Sequence, residues 1–583
     1  MNYVYVNKKK GAMMNTKQNI TEMFHENPIR RNDTTKKFKI VYFNIAKIIS
    51  LLILFILASS HESKNPKIGN SDVEFYLFEM AGIIEDNLKQ NIIKPSDDTA
   101  FSTQELVYNF YKIRNYYPAW TINFNTLPCT DSLLSELRNA RIYGLEPVLY
   151  KVSYIDTLIQ KMQLASDDSV KLNYRKELEV QLTTSFIEFS TNISIGLTYN
   201  RESLEALKLR ESIPFILNNG INKKMVKTTV LSLQPRNIEY TRLITALGMF
   251  LENVDINNET IKLPSPSDSV LYQEAVKNAL IRLGYLSPEN ISDTSIVNTA
   301  IVKFKKLHGL QSKTLDDKEV QQCLSRSTKS MYVQLALNID RLRKTRHDGT
   351  KYVMVNIPSY EMKIVDHEKE EASFIVVVGK PTSPTPELSS KIQTVVANPF
   401  WTVPKSITFD ELVPRIKKDS TYLERNNFFL IDNKESKVDP TLIDWENINS
   451  NNFDYWIRQK NTRGNALGVV KFLFPNNYQV YIHDTPSKKY FTKERRAYSH
   501  GCVRLQNPEL FAKYLVEKHY KNEEKISIDN VLKTGERTTI SLDDPLDVHI
   551  RYYTCAADEN LDIHFYYDVY QKDKEEIDRM FAL

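Results

Sequence analysis

The sequence predicts a multidomain α+β chain, and three observations carry that expectation. Hydrophobic spacing is helical from about residue 72 to 327, then turns to strand-like alternation after about 330. A Leu263-Pro-Ser-Pro-Ser stretch reads as a linker that divides the helical part in two. At 583 residues the chain is also too long for one hydrophobic core. The expected layout is a helical scaffold over 72–265, a compact three-helix unit over 268–327 and a β-rich domain over 330–583.

The N-terminus is set apart by charge and hydropathy. The first 39 residues carry nine Lys/Arg against three Asp/Glu, more than the whole chain's net surplus of +5. No basic face is left over for nucleic acid. The basic tail, residues 1–37, runs into an apolar segment over 38–60, whose clean stretch is Ile48–Ala58. Counting Asn44 and a snorkelling Lys47, it reaches the ~20 residues that a spanning helix needs. The positive-inside rule puts the tail in the cytoplasm and the rest outside. A cleaved signal segment, with Ala58, Ser59 and Ser60 as the cleavage site, is the competing expectation. The length of the tail favours an uncleaved inner-membrane anchor.

Within the scaffold, Leu133, Leu137, Ala140 and Ile142 predict a helix over 132–143 that Gly144 stops. Leu178, Leu182, Phe186 and Phe189 predict another over 174–195. In the unit over 268–327, Leu271, Ala275, Val276, Ala279, Leu280 and Leu283 mark a first helix ended by Gly284. Val297, Ala300, Ile301 and Phe304 mark a second, and Val320 and Leu324 a short third. Strands are predicted at Lys351–Ile357, Glu361–Val365, Ser373–Val378 and Ile392–Ala397. Alternation is lost over 402–463, an insertion with Gly464 and Gly468 as candidate hinges. Two further strands are expected at 548–554 and 562–570, with His549 and His564 structural.

Chemistry concentrates in Tyr481-Ile-His-Asp-Thr-Pro and Ala497-Tyr-Ser-His-Gly-Cys-Val-Arg-Leu. The order strand, strand, loop, helix puts Cys502 and His483 at the rim of a sheet. A thiol reacts as thiolate, so it needs a base or a positive neighbour; His483, His500 and Arg504 are the candidates. Gly501 permits a sharp turn that brings backbone amides close to a substrate carbonyl. Four cysteines (Cys129, Cys323, Cys502, Cys555) fit no metal motif, and the ten histidines include no HExxH pair. Neither a metal nor another cofactor is expected.

Tyr498-Ser-His-Gly-Cys-Val-Arg behind His483 resembles the signature of L,D-transpeptidases, the cysteine enzymes that cross-link peptidoglycan. Segments at Val355-Asn-Ile-Pro, Val378-Gly-Lys-Pro, Asn398-Pro-Phe-Trp, Gly464-Asn-Ala-Leu-Gly and Lys471-Phe-Leu-Phe-Pro-Asn are similar to the large YcbB-like branch, in the same order. Leu283-Gly-Tyr and Phe304-Lys-Lys-Leu-His-Gly-Leu resemble the three-helix peptidoglycan-binding domain, with Gln311-Ser-Lys in place of its usual Asp-Gly turn.

The resemblance implies a nucleophilic Cys502 that stays unpaired, His483 as base, and an oxyanion hole from the Gly501 and Cys502 amides. Ser499, His500 and Arg504 would support the turn, and Tyr498 and Trp401 would line the substrate cleft. It further implies a lid over 402–463, 3→3 cross-links made from tetrapeptide stems, and stem peptides and glycan as partners, with wall synthases beside them. An L,D-carboxypeptidase, a transferase anchoring protein to the wall, and a non-catalytic wall-binding scaffold remain open alternatives.

Overall fold

The structure is a computed structural model that describes residues 102–199, 203–345, 349–462, 464–521 and 526–581, with four helical residues between 81 and 85. The basic tail and the apolar segment over 38–60 lie outside the described residues. Among the described residues no helix is long and apolar enough to cross a membrane.

The described residues from 102 to 253 are mainly helical, apart from a small hairpin of β1 (Thr121–Ile122) and β2 (Asn125–Thr126). Their longest helix, Asp168–Ile195, buries Leu178, Leu182, Phe186 and Phe189. That helix also buries Glu179, whose carboxylate accepts from the Ala119 amide (2.8 Å), the Trp120 amide (3.0 Å) and the Thr121 hydroxyl (2.6 Å). A buried charge is tolerated when donors surround it, and here they tie the hairpin to the bundle. The helix expected over 132–143 differs. An α-helix covers Pro128–Arg138, and a 3-10 turn, Ala140–Tyr143, follows and ends at left-handed Gly144. The Asn139 side chain donates to the Ser135 carbonyl where the two meet.

Three helices follow the linker: Ser269–Arg282, Thr294–Leu307 and Lys318–Ser325. Val276, Phe304, Val320 and Leu324 form their core, whereas Leu271 is exposed. This unit rests on the C-terminal part of the chain. The His308 ring stacks on Phe565 with centroids 5.1 Å apart, and Lys303 pairs with Asp562 at 2.7 Å. Helix Thr328–Lys344 then leads into the sheet. Its Arg341 is gripped by Asp573 and Glu576, each at 2.9 Å, from the terminal helix Asp573–Phe581.

The β-rich domain is built from β3 (Lys351–Asn356), β4 (Glu361–Asp366), β5 (Lys369–Gly379) and β6 (Leu388–Ala397). The insertion supplies β7 (Trp401–Thr402), β8 (Phe428–Ile431), β9 (Lys437–Val438) and β10 (Trp456–Gln459). Then come β11 (Val470–Leu473), β12 (Ile482–His483), β13 (Ala497–Ser499), β14 (Val503–Leu505), β15 (Thr538–Arg551), β16 (Cys555–Ala557) and β17 (Ile563–Phe565). Among the described residues the main sheet runs β13-β5-β14-β12-β11-β6-β15-β3-β4. One of its faces is apolar: Val376, Val395, Phe472, Ile482, Val503 and Leu505 pack with Phe511 and Leu515 of helix Pro508–His519.

Two sequence expectations are corrected here. β15 begins ten residues before the expected 548, because the strand continues through Asp543, Asp544 and Pro545, which bulge where the register with β6 shifts between Ser541 and Leu546. The segment 562–570 adds no strand to the main sheet; β17 pairs only with β16, in a separate hairpin.

Candidate active site

The face of the sheet opposite the apolar core carries Lys471, His483 and Arg504. Side chains alternate along each strand, so register decides which residues share a face. Lys471 of β11 lies opposite His483 of β12, and His483 lies opposite Arg504 of β14. Ile482, Val503 and Phe472, their neighbours, point into the core. Cys502 immediately precedes β14 and Tyr481 immediately precedes β12, and the Val503 amide donates to the Tyr481 carbonyl at 3.1 Å. Thus Cys502 and Tyr481 are neighbours just before the strands that carry Arg504 and His483, and Cys502 also packs against the apolar core.

His483 is 5% exposed. Its Nδ1 is bonded to the backbone oxygen of Asp484. A carbonyl only accepts, so Nδ1 carries the proton and Nε2 is the basic nitrogen. The Asp484 carboxylate is engaged elsewhere, accepting from the Val469 amide at 2.9 Å and from Lys488. A Cβ at Gly468, which has φ +59°, would overlap that carboxylate, so glycine is required there for packing as well as conformation.

Electrostatics favour an uncharged resting pair. Burial, then Arg504, holds the His483 imidazolium down to about 3, with the Asp484 carbonyl pulling the other way. Burial pushes the Cys502 thiol up, and a backbone hydrogen bond at Tyr481 with the charges of Arg504 and Lys471 opposes it. Lys471 is drawn down to about 8, by burial and then by Arg537. Its ammonium lies 5.3 Å from the centre of the Tyr481 ring, which in turn meets His483 edge-on at 5.5 Å. Of the two ways to activate the thiol, a base or a positive neighbour, this environment suits the base, because burial penalises both ions at rest. The arrangement suits proton transfer concerted with attack.

The turn bearing Cys502 is cross-braced. Gly501 has φ +114°, within reach of glycine alone at low cost. Its amide donates to Ser499 Oγ at 3.1 Å, and the Ser499 hydroxyl donates to the Cys502 carbonyl at 2.6 Å. The Gly501 carbonyl accepts from Thr385 Oγ1 at 2.8 Å, and Thr385 Oγ1 accepts from the Gly379 amide at 2.8 Å. With the Gly501 amide committed to Ser499, the expected two-amide oxyanion hole is reduced to the Cys502 amide in this state.

The other expected residues are distributed around this turn. His500 pairs with Glu411 of the insertion at 2.6 Å. Buried Arg504 Nε has no protein partner. Tyr498 is exposed and stacks on Tyr490 with centroids 4.6 Å apart. Trp401 packs on the insertion's own apolar core, its ring 6.2 Å from that of Phe428. All four cysteines are free, with Cys555 buried and the others partly buried. His549 is held by Ser389 at 3.0 Å and His564 by Asp558 at 3.0 Å. Sequence reasoning did not single out Lys471, Glu411 or Thr385 as site residues. For Lys471, alternation along β11 was the available signal.

Residues 350–526 match the L,D-transpeptidase catalytic domain of the YkuD family, and residues 105–247 match a scaffold domain. A curated Haemophilus influenzae protein named "Putative L,D-transpeptidase" is 34% identical over 247 residues, covering 42% of this chain and 48% of that protein. The chain thus spans about half the length of the curated relative it matches. Among solved structures, an L,D-transpeptidase from Stackebrandtia nassauensis is similar at 15% identity and TM-score 0.17, covering 51% of this chain and 96% of that one. Another, from Mycobacterium smegmatis, has 13% identity and TM-score 0.17, covering 35% and 58%. The domain match and the curated relative agree in kind: residues 350–526 carry a YkuD-type L,D-transpeptidase catalytic domain, behind a helical scaffold domain over 105–247.

Proposed function

We propose that this protein is a cysteine L,D-transpeptidase that joins peptidoglycan stems by 3→3 cross-links. The observation that supports the reading is the pairing of β12 with β14, which brings His483 beside the turn that bears Cys502, with the imidazole tautomer set by the Asp484 carbonyl. Cys502 Sγ attacks the carbonyl between residues three and four of a tetrapeptide stem while His483 Nε2 takes the thiol proton. The tetrahedral oxyanion meets the Cys502 amide, and a donor of this kind is worth ~3 kcal/mol. His483 then gives the proton to the departing D-alanine amine and the thioester forms. The side-chain amine of a diamino acid on a second stem attacks the thioester, His483 removes its proton, and the sulfur leaves.

Arg504, positively charged and with its buried Nε unpartnered, suits a substrate carboxylate. Lys471 helps keep His483 neutral and so ready to act as a base. We assign the insertion over 402–463 as a lid and the unit over 268–327 as a peptidoglycan-binding domain. The segment over 38–60 is assigned as an inner-membrane anchor that leaves the catalytic part in the periplasm, beside the wall synthases. The test is incubation of the protein with tetrapeptide-rich peptidoglycan, followed by muropeptide chromatography. Dimers with 3→3 links are expected; trimmed tripeptides alone would assign the site to hydrolysis instead.

A further inference from the structure

Beside the catalytic turn lies a cavity of about 430 Å³ that the reaction above does not use. Its size falls within the range of small-ligand sites. Tyr498 lines it on the way into the turn, and Tyr567, Tyr570 and Gln571 line it from a C-terminal segment beyond both matched domains. Two of these rings are open to solvent, with Tyr498 41% and Tyr567 49% exposed. Tyr360, also lining it, is 5% exposed, and its buried hydroxyl has no protein partner. An unsatisfied buried hydroxyl costs about 1–3 kcal/mol unless a ligand or water supplies the missing bond.

Charge narrows the occupant. Arg495 is the single charged residue lining the cavity. Its guanidinium already lies 3.6 Å from the centre of the Tyr567 ring and pairs with Glu319 of helix Lys318–Ser325. A stem peptide, with several carboxylates and an amine, would meet no free countercharge here. A neutral ring with an apolar CH face and hydroxyl or acetamide groups at its edge meets aromatic faces, the Tyr360 hydroxyl and Gln571. We propose that this cavity binds an N-acetylated sugar of the glycan strand, stacked on Tyr567. The sugar would then sit where its stem reaches Cys502. This deepens the transpeptidase reading and rests on it for the identity of the polymer. The Glu319–Arg495 pair and the Gln311 amide on Glu494 at 3.4 Å continue the surface onto the three-helix unit.

The test is calorimetric titration of di-N-acetylchitobiose into the full chain carrying Cys502→Ala. Saturable binding is expected, weakened about tenfold or more by Tyr567→Ala and kept within about twofold by Tyr567→Phe, which retains the ring face. Should Tyr567→Ala melt, Gln571→Ala provides the second variant, with weakening of about threefold or more expected from one lost hydrogen bond. No saturable binding, or binding indifferent to these changes, overturns the proposal. The titration needs no acyl transfer, so an inactive Cys502 and an empty sugar site are separate results.

Discussion

The catalytic turn and the insertion after Trp401 sit side by side but are held in opposite ways. The turn is fixed by a relay of hydrogen bonds. Ser499 and Thr385 grip Gly501 and Cys502, and the Tyr570 hydroxyl braces Gly379 at 2.8 Å behind them. The insertion has its own four-stranded sheet, β7-β10-β8-β9, and its own core of Val403, Leu412, Leu430 and Ile457. It meets the turn through the half-exposed Glu411–His500 pair. Acyl transfer tolerates little error in the position of sulfur and base, and the lid role proposed for the insertion asks for less precision. The bonds are concentrated where the chemistry demands geometry.

The largest effect expected from breaking the fixed part is His483→Ala. Loss of a general base lowers Cys502 acylation by about 10²–10⁴-fold, measured by stopped-flow with a carbapenem, whose carbonyl is the same class of electrophile. Ser499→Ala comes next. It removes both bonds across the turn, and about 10–100-fold slower acylation is expected if turn geometry sets the rate. An unchanged rate would show that Thr385 alone suffices. Glu411→Gln is the smallest. Partly exposed ion pairs contribute about 0–1 kcal/mol, so acylation and melting temperature should move little. A change of about tenfold or more would make the insertion part of the catalytic geometry.

The same contrast has a pH signature. His483, buried and with Arg504 and Lys471 near it, stays neutral down to about 3, against an ordinary imidazole near 6.5. Carbapenem acylation should therefore show no inflection near 6.5, and a titration there would mean the ring is more hydrated than its burial implies. The sign for stability follows from linkage. Below about 6.5 the unfolded chain binds a proton at this position that the folded chain does not, so folding weakens as pH falls. His308, also held at about 3 by burial, adds in the same direction. His483→Asn should lose less melting temperature than wild type between pH 7 and pH 5.

Much of this was legible in the sequence, for local reasons. Leu178, Leu182, Phe186 and Phe189 recur at helical spacing, and β3 to β6 alternate or run apolar, so one strand or helix announces itself. Cys502, Gly501 and His483 carry chemistry that their residue types reveal. What stayed hidden depends on register or on distance. Lys471 joins the site only because β11 pairs with β12 so that it faces His483. Glu411 reaches His500 across 89 residues of chain. The commitment of the Gly501 amide to Ser499 depends on a rotamer that sequence does not specify. Trp401, which the resemblance implies for the cleft, packs partly buried on the insertion's core, a contact made with residues far along the chain.

The most direct measurement is intact-protein mass after incubation with a tetrapeptide stem, for wild type, His483→Ala and Cys502→Ala. The wild type should gain the mass of the tripeptide acyl group and release free D-alanine, His483→Ala should do so far more slowly, and Cys502→Ala should stay at its own mass. An adduct on the Cys502→Ala protein, or none on the wild type, would contradict the assignment of this sulfur as the acyl carrier.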